Sequence, residues 1–154
     1  MDIPPEILLQ SINDFCILFF KDTSHNKNAP PHFYVAFPVK DDQYLVICIL
    51  TSQVESQKNY YRRTNPKALR SLIRISRDDL SFLNKDTVID CNRAEMLSRE
   101  ELKKRVNSDP PFQIKERKIP SYLKKEIYSG IVQSPLIPPY LKKLIKKKTL
   151  SKPR

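Results

Sequence analysis

Two apolar runs meet at a short polar turn in this chain: His32-Phe-Tyr-Val-Ala-Phe-Pro, then Lys40-Asp41-Asp42, then Gln43-Tyr-Leu-Val-Ile-Cys-Ile-Leu, closing on Thr51-Ser52. This feature constrains the fold most, because two β-rich runs separated by a few polar residues fold back on each other as a hairpin. Phe33 and Phe37 flank Val35 on the first arm, which predicts an edge-proximal strand over 33–37. The second arm, 44–50, is apolar on both faces and predicts a central strand covered from both sides. With a single glycine in 154 residues, such a sheet has to turn its corners on Asn, Asp and Pro.

The rest of the chain adds elements around the hairpin. Pro4-Pro5 before Glu6 predicts a short helix with proline in its first turn, placing Ile7, Leu8, Ile12 and Phe15 on one face, and 15–20 continues as a strand. Residues 21–31 predict an exposed loop, and so do the polar residues 53–67, which contain Tyr60-Tyr61-Arg62-Arg63 and close on Asn65-Pro66. The alternation of Ile73 and Ile75 against Arg70 and Arg74 predicts a half-buried strand over 69–75, and the β-branched residues of 87–91 predict another. From Ser98 the apolar period becomes helical. Ser98-Arg-Glu-Glu101 matches a capping box opening a helix over 99–106, stopped by Asn107-Ser-Asp-Pro-Pro111. Ser121 opens a second helix with Leu123, Ile127 and Ile131 on one side and Gly130 near its end, and Pro138-Pro139 introduces a last one carrying Leu141, Leu144 and Ile145. A short helix, about five strands and then helices argue for an α+β fold with a small, curled, mostly antiparallel sheet. The length suits one domain over 1–146, followed by a basic, disordered tail over 147–154.

Charge narrows the partners. The excess of 28 Lys+Arg over 17 Asp+Glu gives +11, which attracts polyanions and makes nucleic acid the leading partner class, against the plain alternative of a lysine-rich surface. Cys16, Cys48 and Cys91 sit in separate apolar runs without a Cys-x-x-Cys pattern, as reduced core thiols do. The longest apolar stretches fall short of the roughly 20 residues of a bilayer span, and the first residues lack a basic secretion n-region. A cytoplasmic protein without a membrane segment is expected. Asp78, Asp79, Asp86 and Asp90 read as turn formers and ion-pair partners, so neither metal nor cofactor is expected. Tyr60, Tyr61, Arg62 and Arg63 join rings to guanidiniums as single-strand binders do, or fold back over the sheet as a solvated loop. Lys142, Lys143, Lys146, Lys147, Lys148, Lys152 and Arg154, unbroken by any acid, suit salt-sensitive phosphate binding or a solubilising tail.

The order of landmarks resembles distant PemK/MazF-like toxins: His32-Phe-Tyr-Val-Ala, the hairpin into Val46-Ile-Cys-Ile-Leu-Thr51-Ser52, Phe82-Leu83-Asn-Lys-Asp-Thr87-Val-Ile, and a helical end with Gly130 and Ser134. The resemblance spans 31–134. It implies an SH3-like, PemK-type barrel acting as a metal-independent endoribonuclease, restrained by a protein antitoxin and able to form a homodimer. Carried over, His32 takes the place of a family Arg, Thr51 and Ser52 that of a hydroxyl pair, and Thr87 that of a later hydroxyl residue. The usual Gly-Asp near the first strand is missing. Under this resemblance His32 is assigned proton transfer, since imidazole titrates near neutrality. Thr51 and Ser52 are assigned the phosphate oxygens, and Arg62 or Arg63 charge stabilisation. Tyr60, Tyr61, Thr87, Lys142, Lys143, Lys146 and Lys147 complete the expected RNA contacts. A non-catalytic nucleic-acid-binding or interaction protein on the same fold is the alternative.

Overall fold

The computed structural model describes residues 3–24, 28–107 and 109–151. His25, Lys152 and Arg154 lie outside them. The fold is α+β, and among the described residues every registered strand pair is antiparallel. Contacts along the chain divide it into two compact units, Met1–Ile47 with Glu95–Lys118, and Cys48–Ala94 with Ile119–Arg154.

The first unit opens with α1 (Pro5–Gln10), whose proline at the first helical position loses no hydrogen bond. Leu9 is its buried residue, and Ile7 faces solvent, contrary to the face drawn from the sequence. Six residues are too few for a helical stripe to be defined, and Ile12 and Phe15 are buried by the turn that follows. Strands β1 (Cys16–Phe20), β2 (His32–Val39) and β3 (Tyr44–Thr51) come next, with β3 passing its second half to the other unit. β2 is not an edge strand. It lies between β1 and β3 and is buried from Tyr34 onward, because its alternate aromatics stack on both sides: Phe37 on Phe15 and Tyr34 on Phe20, each pair 4.5 Å between ring centres. The side chains of Phe15, Ile17, Leu18 and Phe20 fill the core, and Phe19 is half-buried. Lys40, Asp41 and Asp42 turn the hairpin with φ of 53°, 54° and 68°, the left-handed region, so the corner is made without glycine.

Two short strands complete this unit, both missed in the sequence reading. In chain order, β4 (Leu72–Ile75) and β5 (Thr87–Asp90) belong to the second unit, and β6 (Glu95–Ser98) pairs with the first half of β3. Ser98 then caps α3 (Arg99–Arg105): its Oγ accepts from the Glu101 N–H, and Glu101 Oε1 accepts from the Ser98 N–H, which is the expected capping box. β7 (Gln113–Glu116) pairs with β1. The strand order is β7-β1-β2-β3-β6, and no pairing joins β6 to β7 among the described residues. Arg105 on α3 donates to Asp22, just past β1, at 2.5 Å, and to Glu95, at the head of β6, at 2.6 Å. Arg99 donates to the carbonyls of Leu9, Ile12 and Asp42, tying α1 and the hairpin turn to the start of α3.

In the second unit the segment expected as a loop is the helix α2 (Val54–Thr64). Val54 and Tyr61, seven residues apart, share its buried face, and the helix ends before Pro66. A 3₁₀ turn (Pro66–Ser71) takes the first half of the strand predicted over 69–75, leaving β4 as Leu72–Ile75 beside β5. Another 3₁₀ turn (Cys91–Arg93) follows β5. The helices α4 (Ser121–Gln133) and α5 (Pro139–Ser151) follow the predicted stripes, burying Leu123, Ile127 and Ile131, then Leu141 and Ile145. Residues 147–151 of the expected tail continue α5.

Candidate functional site

The sequence candidates fall in both units. His32, half-buried, opens β2 in the first. Thr51 and Ser52 belong to the second, where Thr51 Oγ1 accepts from the Gln53 N–H at 3.1 Å and Ser52 is exposed just ahead of α2. Thr87, buried, stands beside this pair in the sheet, because Val88 is the register partner of Thr51; its hydroxyl donates to the Lys85 carbonyl at 3.0 Å. Lys143, Lys146 and Lys147 are exposed on α5, and Lys142 is half-buried.

The Tyr-Arg cluster divides by helical geometry. Tyr61 is 2 % exposed and Tyr60 is 50 % exposed, so adjacent residues face opposite ways on α2. Arg62 and Arg63 are exposed, and Arg62 donates to Asn59 at 2.7 Å. The Tyr61 hydroxyl donates at 2.7 Å to Asp90 Oδ2, which also accepts from Gln57 Nε2 at 2.6 Å. The other carboxylate oxygen accepts from the Asn92 backbone N–H and side-chain amide, both at 3.0 Å. Asn92 continues the network, donating to the Ala68 carbonyl and accepting from the Ser134 hydroxyl, whose oxygen in turn accepts from the Leu136 N–H. Asp90 is fully buried, and among the described residues no cation makes an ion pair with it, so four neutral donors stand in for the lost water. Burial, reinforced by the Asp90 hydrogen bond, pushes the Tyr61 hydroxyl well above its usual range and keeps it a proton donor.

This network floors a cleft of about 420 Å³ lined by Gln57, Tyr60, Tyr61, Asn92, Arg93 and Leu136. The Tyr60 ring stands edge-on to Tyr61 at 5.1 Å, and the exposed Arg93 makes no ion pair among the described residues. The sequence reading found the two tyrosines and missed Gln57, Asn92, Arg93 and Leu136. Asp90 carried the available signal: a carboxylate set between apolar Val88-Ile89 and Cys91 invites a buried polar network. The other acids behave as turn and pairing residues, with Asp79 accepting from the Ser76 N–H and the Tyr122 hydroxyl, and Asp86 paired with Arg74.

Among the described residues no group of three or more His, Cys, Asp or Glu is placed to hold a metal ion, and no helix is long and apolar enough to cross a membrane. All three cysteines are free and buried. Burial pushes the Cys16 thiol up to about 12, and a hydrogen bond with Cys48 together with burial pushes Cys91 well above the usual thiol range. Such thiols are packing residues. No known protein-family model matches the chain, and no curated protein is significantly similar to it.

Proposed function

We propose that this protein is a PemK/MazF-like, toxin-type RNA-binding protein that acts as a metal-independent endoribonuclease on an SH3-like barrel. The observation that carries the RNA reading is the concentration of exposed aromatic and cationic side chains in the second unit: Tyr60, Arg62, Arg63 and Arg93 on and beside α2, and Lys143, Lys146 and Lys147 on α5. Rings that stack on bases and cations that neutralise phosphates are the two ingredients of single-strand recognition.

The barrel reading draws support from the first unit. In a flat sheet ordered β7-β1-β2-β3-β6, β1 and β6 would stand about 14 Å apart, three strand spacings. One guanidinium, Arg105, instead reaches both Asp22 beyond β1 and Glu95 in β6, which favours a sheet curled until its edges approach.

His32 is the proton-transfer candidate in this reading. Incubating a mixed-sequence RNA with wild type and His32→Ala in the presence of chelator tests it. Wild type is expected to cleave, and the variant to lose at least roughly a hundredfold in rate, the scale of one general acid or base. Equal rates remove His32 from the mechanism. The binding-only reading is favoured by one observation: the Thr51 and Thr87 hydroxyls already serve local backbone groups. RNA binding without cleavage by wild type decides for it. An antitoxin partner is tested by growth arrest on induced expression, relieved by the product of a neighbouring reading frame.

A further inference from the structure

We propose that the cleft beside α2 is a subsite for one nucleotide of single-stranded RNA, with the base against Tyr60 and Leu136 and its phosphate held by Arg93. The assignment rests on the RNA reading above and specifies where and how a base is bound. Three features of the cleft carry it.

The walls suit a flat aromatic ring. Tyr60 is half exposed although its ring is pinned edge-on against Tyr61, and Leu136 is 47 % exposed although its backbone is held by the Ser134 hydroxyl. Large apolar side chains held rigidly yet left open lose little entropy on contact, which is what a stacking platform requires. The volume, about 420 Å³, admits one nucleotide and is small for anything larger.

The polar floor has a defined sense. Asp90 Oδ2 accepts from Gln57 Nε2, so the amide turns its nitrogen toward the carboxyl group. Gln57 lines the cleft with its amide nitrogen committed to Asp90 and gives a base a polar floor. Every base offers hydrogen-bonding groups along its edge to such a floor, so the cleft takes a base of any kind. Asn92, by contrast, has both ends of its side chain engaged and serves as wall.

The charge completes a nucleotide. Arg93 is the exposed cation on the rim, next in the chain to Asn92, placed for a phosphate whose base lies against Tyr60. The buried chain from Tyr61 and Gln57 through Asp90, Asn92 and Ser134 to Leu136 holds all these parts at fixed spacing.

Fluorescence anisotropy with labelled oligoadenylate, oligouridylate and an abasic oligomer of equal length, at one salt concentration, tests the subsite. Wild type is expected to bind oligoadenylate and oligouridylate each roughly tenfold more tightly than the abasic oligomer. Tyr60→Ala removes roughly tenfold from the two base-bearing oligomers and leaves the abasic one unchanged, Tyr60→Phe restores it, and Arg93→Ala weakens all three ligands. Tyr60 and Arg93 are exposed, so these variants fold, and circular dichroism verifies it. Equal wild-type affinity for oligoadenylate and the abasic oligomer, or an unchanged Tyr60→Ala, overturns the subsite and leaves RNA binding standing. Absence of binding to all three ends the RNA reading and the subsite with it.

Discussion

Gly130 and Asp90 show how much single positions carry in this protein. Gly130 lies inside α4, where alanine would ordinarily help by about 1 kcal/mol. A Cβ there would stand 2.9 Å from Cys91 Sγ and 3.2 Å from Cys91 Cβ, and the Gly130 carbonyl accepts from the buried Ser71 hydroxyl. Close packing wins over propensity, so Gly130→Ala is expected to destabilise by roughly 1–3 kcal/mol, read from the urea midpoint. Adding Cys91→Ala should return part of the loss, and strict additivity of the two would refute the clash. Asp90→Ala strands the donors of Gln57, Tyr61 and Asn92 and is expected to cost about 3 kcal/mol; Asp90→Asn, which keeps one acceptor, should cost less. Asp90 was legible as a turn or ion-pair residue only, because the sequence does not reveal that its partners are Gln57 and Tyr61, the latter 29 positions away.

Among the elements, α3 couples local sequence to long-range structure most directly. Its capping box is complete within four residues and was readable on that account, and Ser98→Ala is expected to cost about 1 kcal/mol. Its last residue reaches Asp22, 83 positions back, which no local pattern announces. Burial would raise the Asp22 carboxyl, but the Arg105 guanidinium and the Ser24 hydrogen bonds outweigh it and hold the group below the usual carboxylate range. A native value below the unfolded one means that this stability is present above the unfolded pKa of about 3.9 and lost as pH falls through the native value. Urea midpoints followed from neutral to acid pH should therefore fall less steeply below about pH 4 in Asp22→Asn than in wild type. Parallel curves would exclude Asp22 as a source of the acid sensitivity. The helix α2 makes the opposite point. Its polar composition reads as loop, and its single buried face, Val54 and Tyr61, became a helix because the second unit supplies something for that face to cover.

At the scale of the whole molecule, +11 is the quantity that matters most for partners. RNA affinity should fall linearly in log–log salt titration, and replacing Lys142, Lys143, Lys146 and Lys147 by Gln should flatten the slope by roughly 0.7 for each phosphate no longer neutralised. An unchanged slope would take α5 out of the RNA contact. The cationic excess itself was read from composition, whereas its display on a helix through Ser151 was not.

The chain alone determined what short-range chemistry decides: the hairpin, its glycine-free turn, the cap of α3 and the apolar stripes of α4 and α5, each set by residues a few positions apart. The strand order, the short strands β6 and β7, the inward position of β2 and the cleft beside α2 were decided by tertiary structure. A four-residue strand such as Glu95–Ser98 has too few apolar side chains to declare itself, and acquires its conformation from the ladder it joins. The cleft likewise exists only because a buried carboxylate draws together donors from α2 and from the segment after β5, with Ser134 and Leu136 linked on through Asn92, an arrangement set by burial and hydrogen bonding across distant parts of the chain.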